Sequence, residues 1–230
     1  MRSEARALGL RIIPAGIEVG SSTGTEVTAD VAVADRLTIG GLEFHNAVFL
    51  VMDDSLLTFP DGFRIPGIIG FPVIEAMGEI RIRGGDTLVV PERVPTRTAA
   101  NLALQQLSPL TTVSWRGDTL ICRLDTGASS IQFYEPVYRR SGDRIRAAGR
   151  LDTLRFGGAG GVRQLEGYRL RDVRLAVGDA TVVLDSTFVL THSIEDHPED
   201  NFLGCNLGHD VLDAFGEYVI NFRDMAFLLR

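Results

Sequence analysis

The chain has 230 residues, with 23 basic and 30 acidic side chains for a formal net charge of −7, and 45% of its residues are hydrophobic. That length suffices for one domain with a sizeable core or for two small lobes. The apolar content excludes a disordered chain, and the acidic balance excludes the basic face that a nucleic-acid binder needs.

In chain order, "SEARALGL" (3–10) reads as a short helix, and "TEVTADVAVADRLTIGG" (25–41) as strand, with Val, Ile and Thr alternating up to a Gly break. "FPVIEAMG" (71–78) reads as a second short helix. The Pro-marked "VVPERVPTRTAA" (89–100) is a boundary between two halves, followed by a helical "TAANLALQQL" (98–107). "SWRGDTLICRLDTG" (114–127) predicts a hairpin turning at Gly117-Asp118, which makes its Arg-Gly-Asp a turn and not an adhesion motif. "YRLRDVRLAVGDATVVLDSTFVL" (168–190) predicts two more strands, and "HDVLDAFG" (209–216) a last short helix. No apolar run reaches membrane-spanning length, and "MRSEARALGL" lacks the apolar core of a signal peptide. All basic charge apart from His is carried by Arg, which we read as genome bias. Cys122 and Cys205 are too few to reveal a redox compartment; they read as two buried thiols unless the fold brings them together.

The two halves repeat. Val73-Ile74-Glu75-Ala76-Met77-Gly78-Glu79 matches Val211-Leu212-Asp213-Ala214-Phe215-Gly216-Glu217, a shift of 211 − 73 = 138. The same shift pairs Arg36 with Arg174, Leu37 with Leu175, Gly40 with Gly178 and Gly20 with Gly158, while Phe49 and Phe188 agree to within one residue. "GLRIIPAG" (9–16) matches "GDRIRAAG" (142–149) at a shift of 142 − 9 = 133, implying a five-residue insertion. An ordered set of matches marks a duplicated β-rich unit.

Within the second half, Asp125-Thr126-Gly127-Ala128 ends an apolar strand, the Gly-rich "FGGAGGVRQ" (156–164) follows about thirty residues later, and "FLG" (202–204) precedes the last helix. The first half repeats the later parts as "VGSSTG" (19–24), "IIG" (68–70) and "VIEAMG" (73–78). This order resembles the retropepsin and pepsin group of aspartic peptidases, most closely the bacterial two-lobed retropepsin-like proteins, over essentially the whole chain. The resemblance implies an all-β fold of two pseudo-symmetric acid-protease lobes, each a closed or nearly closed β-barrel with a short helix. The N-terminal lobe would cover 1–94, a linker 95–110 and the C-terminal lobe 111–230.

It also implies hydrolysis of a peptide or protein substrate by water activated between two carboxylates that share one proton, without a covalent intermediate; such a dyad is a standard example of coupled titration. In that scheme Asp125 is catalytic, Thr126 cross-links the two turns, Gly127 allows close backbone approach, and Ala128 follows the viral pattern. Phe202-Leu203-Gly204 and Ile68-Ile69-Gly70 would pack behind the turns. Gly157-Gly158-Ala159-Gly160-Gly161 would form a substrate-covering flap, with Gly20-Ser21-Ser22-Thr23-Gly24 as its partner. No cofactor or metal is implied.

The chain departs from the pattern in its single Asp-Thr-Gly. Carried back by the local shift, Asp125 falls at 125 − 133 = −8, so the partner carboxylate is expected before Met1, in a lost or misassigned start, and these residues alone are expected to be inactive as a monomer. The alternative is a catalytically inactive pseudo-protease that serves as a peptide-binding or scaffolding module. Dyad formation between two copies is disfavoured by the duplicated lobes, which point to a monomer. The resemblance leans towards a bacterial periplasmic or exported protein.

Other candidates carry less. His192, Glu195, Asp196 and His197 lack zinc-type spacing and read as a solvated acidic loop. His45 and His209 stand singly in apolar stretches and read as structural. Ser129 and Ser130 lack a nucleophile elbow. The pairs Asp53-Asp54 and Glu199-Asp200 read as loop charges, and Asp53 and Asp54 fall at the wrong place in the repeat for a dyad.

Overall fold

A computed structural model describes residues 1–20, 26–59, 62–158, 161–193 and 202–230. Strands dominate and the helices are few, so the mostly β expectation holds. The chain divides into two compact units, 1–73 with 155–164, and 74–154 with 165–230.

The first unit opens with α1 (Arg2–Ala7), then β1 (Ile12–Gly20), β2 (Glu26–Ile39) and β3 (Leu42–Val51), which form an antiparallel sheet in the order β1-β2-β3. Gly16, at φ +58°, sits where the β1–β2 register shifts between Ile13 and Ile17, a bulge that glycine accommodates without strain. Ala5, Ala32 and Val51 form a thin buried cluster with Leu10 and Ile12 packed against it. The other face pairs Ile13 with Val31, Val31 with Leu50 and Val33 with Val48, and leaves Ile13, Val33, Val48 and Leu50 exposed. A 3-10 turn, Asp54–Leu57, follows; Asp53 caps it by accepting from Ser55 N and Oγ, and Asp54 accepts from Ser3 N at 3.0 Å. Asp53 is thus a local cap, and Asp54 ties this turn to the start of α1.

The second unit contains most of the elements. α2 (Phe71–Ala76) spans the boundary between the units. It leads into β4 (Glu79–Arg83) and β5 (Thr87–Val89), and an irregular stretch then precedes β6 (Leu102–Gln105). β7 (Ser108–Trp115) and β8 (Asp118–Leu124) form the expected hairpin, though the two-residue turn is Arg116-Gly117, one residue earlier than predicted. Both have positive φ, +53° and +90°, as a turn matching the twist of the flanking strands requires. β9 (Gln132–Phe133), α3 (Glu135–Ala148), β10 (Arg150–Gly158), β11 (Gly161–Val177) and β12 (Ala180–Leu190) follow. β13 (Leu203–Leu207), α4 (His209–Leu212), β14 (Glu217–Asn221) and β15 (Ala226–Leu229) complete the chain. Strands β11-β12-β9-β13-β8-β7 close on themselves through β11–β7 pairing at Ala176 and Ser114, giving a six-stranded barrel flanked by β10 and β6.

Alternation fills that barrel. Val173, Leu175 and Val177 of β11 and Val182 and Leu184 of β12 point inward, while Arg171, Arg174, Thr181 and Val183 point out. Leu120, Leu207 and Phe133 join them, with Trp115 and Phe133 rings 4.9 Å apart. Each such side chain contributes roughly 1.5–3 kcal/mol by leaving water. Cys122 and Cys205, partners on parallel β8 and β13 with Cα atoms 4.6 Å apart, are buried as predicted but bonded as a disulfide, not free as expected. Adjacent register on neighbouring strands is what brings the two sulfurs together.

The repeat reappears in the strand registers. In β2–β3, Arg36 faces His45 and Ile39 faces Leu42; in β11–β12, Arg174 faces Val183 and Val177 faces Ala180, each position 138 further on. Gly40 and Gly178 turn the two hairpins at φ +58° and +57°. β1 and β10 also start 150 − 12 = 138 residues apart, as do β4 and β14 at 217 − 79 = 138. β4 and β14 pair with each other, Glu79 opposite Asn221 and Glu217 opposite Arg83, in the sheet β15-β14-β4-β5. Shifting either of those pairs by the repeat returns the other, so a local twofold relates the two strands about Arg81 and Val219.

Three expectations fail. Residues 9–16 run into strand β1 while 142–148 lie in α3, so the match at a shift of 133 is coincidental and no insertion is needed. The segment 98–107 is not a helix: β6 pairs with β7, and Asn101 bonds Phe227 through both O and N, at 2.9 and 2.8 Å. Among the described residues one barrel is closed, and the first unit's sheet stops at three strands, short of the closed or nearly closed second barrel expected.

At the start of β4 in the four-stranded sheet stands Glu79, with no exposed surface. Arg97 holds it through Nε at 2.9 Å and Nη2 at 2.7 Å, Arg81 Nε donates at 2.8 Å and Asn221 Nδ2 at 2.8 Å. Burial pushes its carboxyl up, but these bonds outweigh burial and hold it at about 2.

Candidate functional site

Strand β8 delivers Asp125 at its C-terminal end, and the backbone then folds into a tight turn. Asp125 N donates to Leu207 O at 3.1 Å, anchoring the turn to β13, and Ala128 N donates back to Asp125 O at 3.2 Å. The half-buried carboxylate is gripped at both oxygens: Gly127 N donates to Oδ1 at 2.8 Å and Asn206 Nδ2 to Oδ2 at 3.1 Å. Charge-assisted bonds of this kind fix a carboxylate's orientation. Thr126 and Gly127 are exposed and Ala128 is half-buried. The predicted tetrad therefore stands together as one presented turn.

The glycine packed behind that turn is Gly208, not Gly204. A Cβ on Gly208 would lie 2.7 Å from Ser130 C and 2.8 Å from Ala128 O, whereas one on Gly204 would meet Leu120 on strand β8. His209 N donates to Ala128 O at 2.9 Å and Asp210 N to Ser129 O at 3.3 Å, so β13 and α4 clasp the turn through Gly208. Asp210 Oδ1 accepts from Ile131 N at 2.8 Å; burial pushes its carboxyl up, and the backbone N–H groups of Ile131 and Val211 oppose that rise. The consistent shift already carries Gly70 to Gly208, which was the missed signal.

Asn206 was not foreseen, because its repeat partner is Ile68. Only 8% of Asn206 is exposed, and its buried Oδ1 has no hydrogen-bond partner among the described residues. His209 was read as structural. It joins the turn to α4, with Nε2 2.9 Å from Thr126 O and Nδ1 2.9 Å from Asp213 Oδ2.

The predicted flap lies on the β10–β11 hairpin, where a Cβ on Gly157 would sit 3.7 Å from Val162 Cγ2. Gly157, Gly158 and Gly161 end the two strands, and Ala159 and Gly160 lie outside the described residues. Gly20 ends β1 and pairs with Glu26 across the corresponding β1–β2 hairpin; 21–25 lie outside the described residues. Of the acidic-loop candidates, His192 contacts Thr191 Oγ1 through Nδ1 at 2.9 Å, while Glu195, Asp196 and His197, like Glu199 and Asp200, lie outside the described residues. His45 is exposed and pairs with Glu43 at 3.0 Å. Among the described residues no helix is long and apolar enough to cross a membrane, and no group of three or more His, Cys, Asp or Glu side chains could hold a metal ion.

No protein-family model matches the chain, and no curated protein matches it.

Proposed function

We propose that Asp125 is one carboxylate of an aspartic-type endopeptidase site. It would act on extended peptide with water as the nucleophile, and the chain would derive from two copies of one lobe spanning about 1–94 and 111–230. The observation that carries the reading is the presentation of Asp125: a carboxylate at a strand end, held at both oxygens, on a turn that Gly208 allows β13 and α4 to clasp. Rigid placement of a partly exposed carboxylate suits general base or acid catalysis, which contributes roughly 10²–10⁴-fold. The shared hairpin registers and the twofold pairing of β4 with β14 support the duplication. The Gly-rich hairpin ends suit covering an extended strand, whose main-chain groups would supply affinity.

Such chemistry needs a second carboxylate facing Asp125. At the shift of 138 the equivalent position is 125 − 138 = −13, outside residues 1–230. A second reading, a peptide-binding module without hydrolysis, draws support from Asn206, whose amide occupies one oxygen of Asp125.

The two readings separate in one assay. The full-length gene product is incubated with an unfolded protein between pH 3 and 8, and fragments are identified by mass. Cleavage supports the peptidase. Binding of the same peptides without cleavage supports the module, and the absence of both binding and cleavage would leave Asp125 without a role in peptide chemistry.

A further inference from the structure

His209 contacts two groups that can only accept hydrogen bonds, the Thr126 carbonyl at Nε2 and the Asp213 carboxylate at Nδ1, each at 2.9 Å. A neutral imidazole offers one N–H and one lone pair. It can satisfy one of these contacts and must turn its lone pair on the other acceptor. Both bonds form together only when the His209–Asp213 pair carries one proton more than a neutral ring beside a carboxylate. The ring and Asp213 side chains are 35% and 46% exposed, so that proton exchanges freely with solvent.

The contact reaches the carboxylate through one rigid unit. The Thr126 carbonyl that His209 holds and the Gly127 N–H that donates to Asp125 Oδ1 belong to the same peptide plane. Fixing the carbonyl fixes the direction of that N–H. Of the charged and titratable groups near the ring, Asp213 at the C-cap of α4 contacts it, Asp210 in the first turn of α4 feels its charge, and Tyr218 of β14 lies within reach of Asp213.

We propose that His209 is a positioning residue whose ring, when both nitrogens carry a proton, staples the Thr126–Gly127 peptide to Asp213 and thereby orients Asp125. This rests on the reading of Asp125 as the catalytic carboxylate only for its consequence in activity. When the proton leaves, the bonds Asp125 N–Leu207 O and His209 N–Ala128 O remain, so the turn stays folded and only that peptide loosens.

The test uses the 230-residue chain labelled with 15N and 13C. Ring nitrogens of His209, the Thr126 carbonyl carbon and the Gly127 amide are followed from pH 5 to 9. The expected result is two protonated ring nitrogens on the acid side, and a one-proton step in which the Thr126 and Gly127 signals move with the ring at a shared midpoint. In His209→Gln, which keeps one neutral donor, that step disappears from both backbone signals. The proposal is overturned if the backbone signals ignore the ring, if the ring carries a single proton throughout, or if the step survives in His209→Gln. Should that variant not fold, the wild-type co-titration decides alone. Absence of peptide cleavage would sink the peptidase reading while leaving these spectra, and so this proposal, to be judged separately. If cleavage is found, His209→Gln should flatten the alkaline fall of kcat with KM little changed.

Discussion

Leu37 and Leu175 occupy one position in two hairpins of identical register, yet Leu37 is half-buried while Leu175 has no exposed surface. Ala32 and Leu170, at equivalent positions, are both buried but differ in size: the first unit fills the place with a methyl group and the second with a full Leu. In the second unit the hairpin is closed by β7, β8, β9 and β13, and its inward side chains meet others across a barrel. In the first, three strands cover a thin layer under α1, and Val48 and Leu50 face outward. Hairpin register thus depends on turn glycines and local pairing, which both copies retain. Burial depends on what closes over the sheet, which differs.

The comparison breaks most sharply at those leucines. Leu175→Ala should cost about 2–5 kcal/mol, as expected for truncating a fully buried Leu, and Leu37→Ala about 1 kcal/mol; chemical denaturation of both variants checks the gap. Equal losses would mean that the two hairpins are equally packed.

A second pair is Glu79 and Glu217, equivalent in the repeat and opposite in setting. Glu79 is sealed among Arg97, Asn221 and Arg81, while Glu217 bonds the exposed Arg83 at 2.6 Å. Because the folded carboxyl of Glu79 lies at about 2, below its ordinary value of 4.5, its stabilisation is present above pH 4.5 and drains away as pH falls towards 2. That amounts to at most about 3 kcal/mol. Glu79→Gln should therefore lose stability at neutral pH and show a flatter pH dependence than the wild type between pH 5 and 2. Thermal unfolding across that range reads it, and an unchanged slope would show that other carboxylates set the acid limit.

Glycines give a smaller contrast. Gly208→Ala forces a Cβ against backbone and should cost about 1–3 kcal/mol. At the equivalent Gly70 the nearest atom is Pro72 Cδ at 3.7 Å, so Gly70→Ala should change stability by no more than about 0.5 kcal/mol.

Much of this was legible in the sequence where physics is local. Strand β2, the β11–β12 strands, the β7–β8 hairpin and the Asp125 turn all follow from short patterns of apolar alternation and turn residues. Failures came where tertiary context overrides such patterns. Residues 98–107 are rich in helix-forming Ala, Leu and Gln, yet pairing with β7, the clamp from Asn101 and positive φ at Ala100 and Gln106 make them strand and turn. α3 was hidden by Ser141-Gly142 in its middle, and the helix indeed departs from helical geometry at Ser141, φ −128°. Asn206 could not be inferred, since its value lies in reaching Asp125 across 81 positions of sequence. The disulfide required knowing that β8 and β13 are parallel neighbours in register.

The most direct test of the account compares peptide hydrolysis by the full-length gene product and by its Asp125→Asn variant, with folding of both verified by circular dichroism. The carboxamide keeps the shape of the turn and removes the group that exchanges a proton with water. The account predicts that hydrolysis falls by at least about 10²-fold while peptide binding persists. Hydrolysis at the wild-type rate in Asp125→Asn would contradict it.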